Sequence, residues 1–139
     1  CSVGKYTVIP GGKPGYDTTP LEAAPGVIDI TINISLDNPR NTIRSAAWDE
    51  AERVLGEYFE TGTTTTLTRY VDHAMFSLHS CVQECGWAAY AGVGSYYQFY
   101  QAAYYKHAGV QLHEHGHNMQ LAHSGGLDGQ TYTDHTVSI

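Results

Sequence analysis

The segment His113-Glu114-His115-Gly116-His117-Asn118-Met119-Gln120-Leu121-Ala122-His123 gathers the side chains of this sequence best suited to chemistry. On a helix, residues four apart are turned by about 40° and separated by about 6 Å, so His113 and His117 project from one face. Two imidazoles stacked this way can reach one zinc ion at about 2.0–2.1 Å. Glu114 lies about 100° around from His113, away from the ligand pair but in reach of a water at such a metal. This is the division of labour in a His-Glu-x-x-His motif: two ligands and a general base. His123 cannot join if the helix continues, because six further residues add about 9 Å of rise and swing the side chain away. The helix must therefore break between Met119 and Ala122, so that the chain turns back and presents His123. Three histidines leave a tetrahedral zinc one open position, the layout of a catalytic site and not of a structural one. The spacing arises by chance about once per thousand chains of this composition, so it outweighs the reading of three incidental histidines.

Other chemistry-bearing residues invite blander readings. His115 is about 200° around the helix from His113 and is read as a packing or surface residue. His135 is either a donor to the site's ligands or an exposed loop residue. His79, Cys81 and Cys85 form a cluster better read as a disulfide-bearing loop than as a metal site, since no fourth ligand lies nearby. Asp72-His73 shows no partner. Tyr96, Tyr97, Tyr100, Tyr104 and Tyr105 are read as padding for a strand and the back of a helix, in preference to lining a substrate groove.

The elements that must position the site follow from patterning. Residues 1–25 are broken by Pro and Gly and read as loop, apart from a short strand at 5–9. Residues 27–34 alternate β-branched and polar side chains, a strong strand signal. Asn38-Pro39 or Asn41 starts a helix running to about Phe59, with Ile43, Ala47, Ala51, Val54, Leu55 and Tyr58 inward and Arg44, Asp49, Glu50, Glu52 and Arg53 mostly outward. Gly62 ends that region, and 63–69 is Thr-rich and expected to be extended. Further strands are expected at 71–78 and 87–93, with a short edge strand at 96–100. A second helix is expected over 102–119. Strand, helix, strands, helix reads as a mixed sheet with helices packed on it.

One hundred and thirty-nine residues make a single domain, and 42% apolar residues can supply its core. Only 15% of residues are charged, and 14 acids against 7 bases give a net −7. Nucleic acid or an anionic membrane surface needs clustered Lys and Arg, whereas the seven bases here are scattered singly. No apolar run approaches the roughly 20 residues of a membrane span. The chain opens at Cys1 with no initiator Met, so a processed form or a fragment is expected. Three cysteines are an odd number, which leaves one to stay free or to bond a covalent partner outside the chain, in an oxidising compartment.

The motif His113-Glu114-x-x-His117-x-x-x-x-x-His123 resembles that of the metzincin zinc peptidases. The wording Gly116-His117-Asn118 and Leu121-Ala122-His123-Ser124 is most similar to the gametolysin-like branch, peptidase family M11, as are 86–90 and Asp134-His135-Thr136. The resemblance covers about residues 27–136. It implies an α+β fold, a metzincin-like twisted mixed sheet packed on a backing helix and an active-site helix. It also implies one Zn²⁺ on His113, His117 and His123, Glu114 as base, and a secreted enzyme hydrolysing peptide bonds in extracellular-matrix or cell-wall (glyco)proteins. Two positions depart from the pattern. Gln120 stands where metzincins usually have Gly in a left-handed turn. The methionines, Met75 and Met119, both precede His123, so the family's Met-containing turn is absent and truncation before it is expected. The rival from another class is a non-catalytic structural or adhesive extracellular protein that keeps the fold, with or without the zinc.

Overall fold

The structure, a computed structural model, describes residues 11–35, 37–59, 66–78 and 86–123. Helix α1 spans Arg40–Tyr58 and helix α2 spans Ala108–Asn118. Between them run strands β1 (Ala74–Ser77), β2 (Ala89–Ala91) and β3 (Tyr97–Tyr100). The sheet order is β1-β3-β2, with β1 parallel and β2 antiparallel to β3. The described part is thus α+β with a mixed sheet.

Helix α1 forms where the sequence places it. Pro39, with φ −54°, precedes the first turn, and its carbonyl accepts the N–H groups of Thr42 and Ile43. Good helix formers fill the body of the helix. Arg53 ties itself to Glu50 and Glu57 along the exposed face. Ile43, Ala47 and Leu55 are buried, whereas Tyr58 is exposed. Glu52, expected on the surface, is half-buried: its Oε1 accepts from Trp48 Nε1 and from the backbone N–H of Leu67, both at 2.9 Å. One carboxylate therefore joins the third and fourth turns of α1 to Leu67. Of the segment 63–69, expected to be extended, 63–65 lie outside the described residues, and Leu67–Arg69 is instead a 3₁₀ turn that buries Leu67 and leads into fully buried Tyr70.

The register sorts the sheet into two faces, because alternate side chains point to opposite sides. Phe76, Phe99 and Tyr90 stand opposite one another across the three strands, their rings stacked at 4.6 and 5.6 Å. Trp48 of α1 stacks on Phe76 and meets Tyr96 and Tyr97 edge-on, so this face is covered by α1. The opposite face carries Ala91, Gln98 and Tyr100, and α2 lies across it. Tyr96 and Tyr97 therefore pad the α1 layer, Tyr100 is fully buried, and Tyr104 and Tyr105 are exposed. The strand expected at the edge is in fact central, and Gln98, Phe99 and Tyr100 are buried accordingly.

Two other expectations differ. Residues 27–34 keep the alternating burial of a strand, with Ile28, Ile30, Ile32 and Ile34 half-buried, yet join no sheet among the described residues beyond the isolated bridge Ala24↔Val27. Alternation reports one buried side, and a ladder needs a neighbouring backbone as well. The second helix begins twice: Ala102–Lys106 is 3₁₀, His107 is extended at φ −92° and ψ 107°, and α2 starts at Ala108. Gln101 anchors the first piece, its N–H donating to Ala88 O and its side chain to Trp87 O. Tyr104, Tyr105 and His107 are poor helix formers, which favours the interruption. Among the described residues no helix is long and apolar enough to cross a membrane. The strand expected at 5–9, Gly62, and the loop with His79, Cys81 and Cys85 lie outside the described residues, as do Cys1, the segment with His135 and any covalent partner bonded through a cysteine.

Candidate metal centre

Helix α2 carries His113 and His117 one turn apart and ends where the third histidine requires. Met119 caps it, and Gln120 takes the left-handed conformation at φ 71°. The N–H of Gln120 donates to His117 O, and that of Leu121 to Gly116 O. This pair of bonds is a Schellman motif, which closes a helix on a residue with positive φ. Glycine is favoured there, and Gln120 adopts the same geometry at a cost of about 1 kcal/mol. The turn reverses the chain, and His123 arrives beside the helix it has just left.

The three Nε2 atoms then form a small triangle. His113 to His117 is 3.2 Å, His113 to His123 is 3.1 Å, and His117 to His123 is 3.0 Å. Nitrogens sharing a tetrahedral zinc at about 2.0–2.1 Å stand about 3.3 Å apart, so the triangle fits that ion within a few tenths of an ångström. Neutral rings can make at most two of these three contacts as N–H···N bonds, because each facing nitrogen carries either a proton or a lone pair. His117 Nδ1 lies 2.8 Å from Leu121 O, which can only accept, so the ring proton belongs on Nδ1 and Nε2 carries a bare lone pair. That lone pair faces the other two nitrogens. Burial first, and then the neighbouring imidazoles of His117 and His113, hold His123 below the ordinary histidine value, which favours its neutral, ligating form. His113, His117 and His123 are the cluster among the described residues whose ligand atoms converge closely enough to hold a metal ion.

Glu114 is 5% exposed, and its Oε2 has no hydrogen-bond partner among the described residues. Burial raises its carboxyl above the usual range, opposed by the charges of His113 and His117 and by a backbone hydrogen bond from Ala91. A buried carboxylate oxygen without a donor is costly unless something polar meets it. Next to a converging triad, that orphaned oxygen suits water or substrate at a metal. His115 is turned away as expected. Its Nδ1 lies 3.1 Å from Gln98 Nε2, and its ring meets His73 edge-on at 5.1 Å. Asp72, for which the sequence shows no partner, pairs with Lys13 at 2.9 Å.

A set of buried amides beneath the triad is not visible in the sequence. Asn118 is 7% exposed and Gln98 is 3% exposed. Gln98 Nε2 donates to Asn118 Oδ1 at 3.0 Å, and Tyr100 donates its hydroxyl proton to Gln98 Oε1. Asn118 Nδ2 donates toward Ser95 Oγ and Tyr97 O at 2.9 and 3.1 Å. The one signal available was a polar residue at an inward position of a Tyr- and Phe-rich strand.

Residues 4–139 match the family described as Gametolysin peptidase M11. No curated protein and no solved structure matches the chain. The family match spans nearly all of the sequence, including every residue of the histidine triangle: the chain belongs to the gametolysin peptidase M11 family.

Proposed function

We propose that the chain is a single catalytic domain acting as a secreted, zinc-dependent endopeptidase, with His113, His117 and His123 as metal ligands and Glu114 as general base. The observation that carries this reading is the convergence of three Nε2 atoms within 3.2 Å of one another, beside a buried carboxylate with an orphaned oxygen. Membership of a peptidase family supplies the reaction class. Bound by the triad, zinc would supply Lewis acidity, lowering the pKa of water toward about 7 and polarising a peptide carbonyl. Glu114 Oε2 takes the proton from the attacking water and returns it to the nitrogen of the departing amine, so the base is regenerated at the end of the turnover. Burial strengthens Glu114 as a base by raising its affinity for that proton. The His117–Leu121 contact holds one imidazole in the tautomer that leaves Nε2 free.

The substrates proposed are proteins or glycoproteins of an extracellular matrix or cell wall. The support is the likeness to gametolysin-like peptidases, together with a net charge of −7 and scattered bases that suit neither nucleic acid nor an anionic membrane. A merely adhesive protein that keeps a metal has no need of a buried carboxylate beside the triad, so Glu114 favours the enzyme. A peptidase assay on matrix glycoprotein, run with metal analysis and chelation, decides the matter. Hydrolysis lost on chelation and restored by zinc is the expected result; bound zinc with no hydrolysis of any protein substrate would contradict the enzyme and support the structural or adhesive alternative.

A further inference from the structure

Successive residues of α2, His117 and Asn118, are both fastened to the β2–β3 turn. Gly94, with φ +70°, donates its N–H to His117 O at 2.7 Å. The Asn118 amide spans the same turn: Nδ2 lies 2.9 Å from Ser95 Oγ, 3.1 Å from Tyr97 O and 3.4 Å from Gly92 O. Its Oδ1 accepts from Gln98 in β3, and Gln98 is fixed in turn by the buried hydroxyl of Tyr100. Both ends of the Asn118 amide are used, in a place where water has almost no access. This clasp sits at the last turn of α2, immediately before the Schellman turn that sends His123 back. Any tilt of that last turn moves His117 and the start of the return segment together.

We propose that Asn118 is the positioning residue of the metal centre: by clasping the β2–β3 turn and Gln98, it sets the placement of His117 and His123 relative to His113. This rests on the reading of the three histidines as ligands. Every hydrogen bond described for Asn118 is to the protein, so it acts through the helix end it secures. Buried amide networks give a defined geometry when every member is satisfied, and this one is satisfied at both ends of the amide. A clasp of this kind acts on metal affinity much as outer-shell partners of ligands do.

The test uses the full chain, with zinc affinity measured by chelator competition and the ligand field read from the visible spectrum of the Co²⁺-substituted protein. Asn118→Leu keeps the number and branching of the side-chain heavy atoms and removes the clasp. Zinc affinity is expected to fall about 10- to 100-fold, with a changed Co²⁺ spectrum. Ile43→Ala, in the α1 layer, destabilises the core without touching the clasp and should leave zinc affinity within about twofold. Asn118→Leu that is folded and keeps the parent affinity and Co²⁺ spectrum overturns the proposal. Should Asn118→Leu fail to fold, Gln98→Met cuts the same clasp from the strand side: weakened zinc binding with an altered spectrum supports the proposal, and unchanged binding overturns it. If His117→Ala binds zinc as tightly as the parent, the ligand reading itself fails, which is a different result from loss of the Asn118 effect alone.

Discussion

Glu114 illustrates how one position is given its chemistry by its surroundings. Its carboxyl is buried, short of one hydrogen bond, and next to a histidine of the converging triad. Glu114→Gln keeps the shape and loses the base. Zinc content and thermal stability should stay near those of the parent, while kcat falls by about 10²- to 10⁴-fold. Full activity in that variant would remove Glu114 from the mechanism. The triad and this glutamate were legible from spacing alone, because a helix puts residues four apart on one face and the sequence states that spacing outright. Asn118 and Gln98 were not legible, although Asn118 lies inside the motif. Their partners come from a strand and a turn some 20 residues away, and no periodicity records a hydrogen bond across that distance.

At the scale of elements, the end of α2 decides whether three histidines make one site. The break demanded between Met119 and Ala122 is where the Schellman turn forms, at Gln120. Gln120→Gly relieves the left-handed strain and should stabilise the fold by up to about 1 kcal/mol, about 3–5 °C in Tm for a domain of this size. Differential scanning calorimetry reads it; a lower Tm would mean that the Gln120 side chain contributes packing that outweighs its strain. Helix α1 also matched its pattern, since its inward positions recur at three and four and Pro39 marks its start. Ile43 is 1% exposed, so Ile43→Ala should cost about 2–5 kcal/mol in chemical denaturation, and a loss under about 1 kcal/mol would contradict its place in the core. The strands were harder to read. Residues 96–100, expected as a short edge strand, form the central one, and their tyrosines face two helices. Residues 27–34 show the converse, a strong strand pattern that joins no sheet among the described residues.

For the whole molecule, a metal that binds only the folded chain should stabilise it by mass action. Zinc at about one hundred times its dissociation constant should add about 2.7 kcal/mol to the unfolding free energy, and chelation should reverse the gain. The net charge of −7 favours the approach of a divalent cation, so zinc uptake should slow as salt rises. A Tm unmoved by zinc or chelator would argue against a metal coupled to the fold. The most direct test is the count of zinc ions bound per chain, by equilibrium dialysis with elemental analysis, in the parent and in His113→Ala, His117→Ala and His123→Ala. One zinc per parent chain, with tight binding lost in each of the three variants, is the result predicted. Undiminished stoichiometry and affinity in His123→Ala would contradict the account, because the reversal of the chain after α2 would then bring that ring to the other two for no purpose.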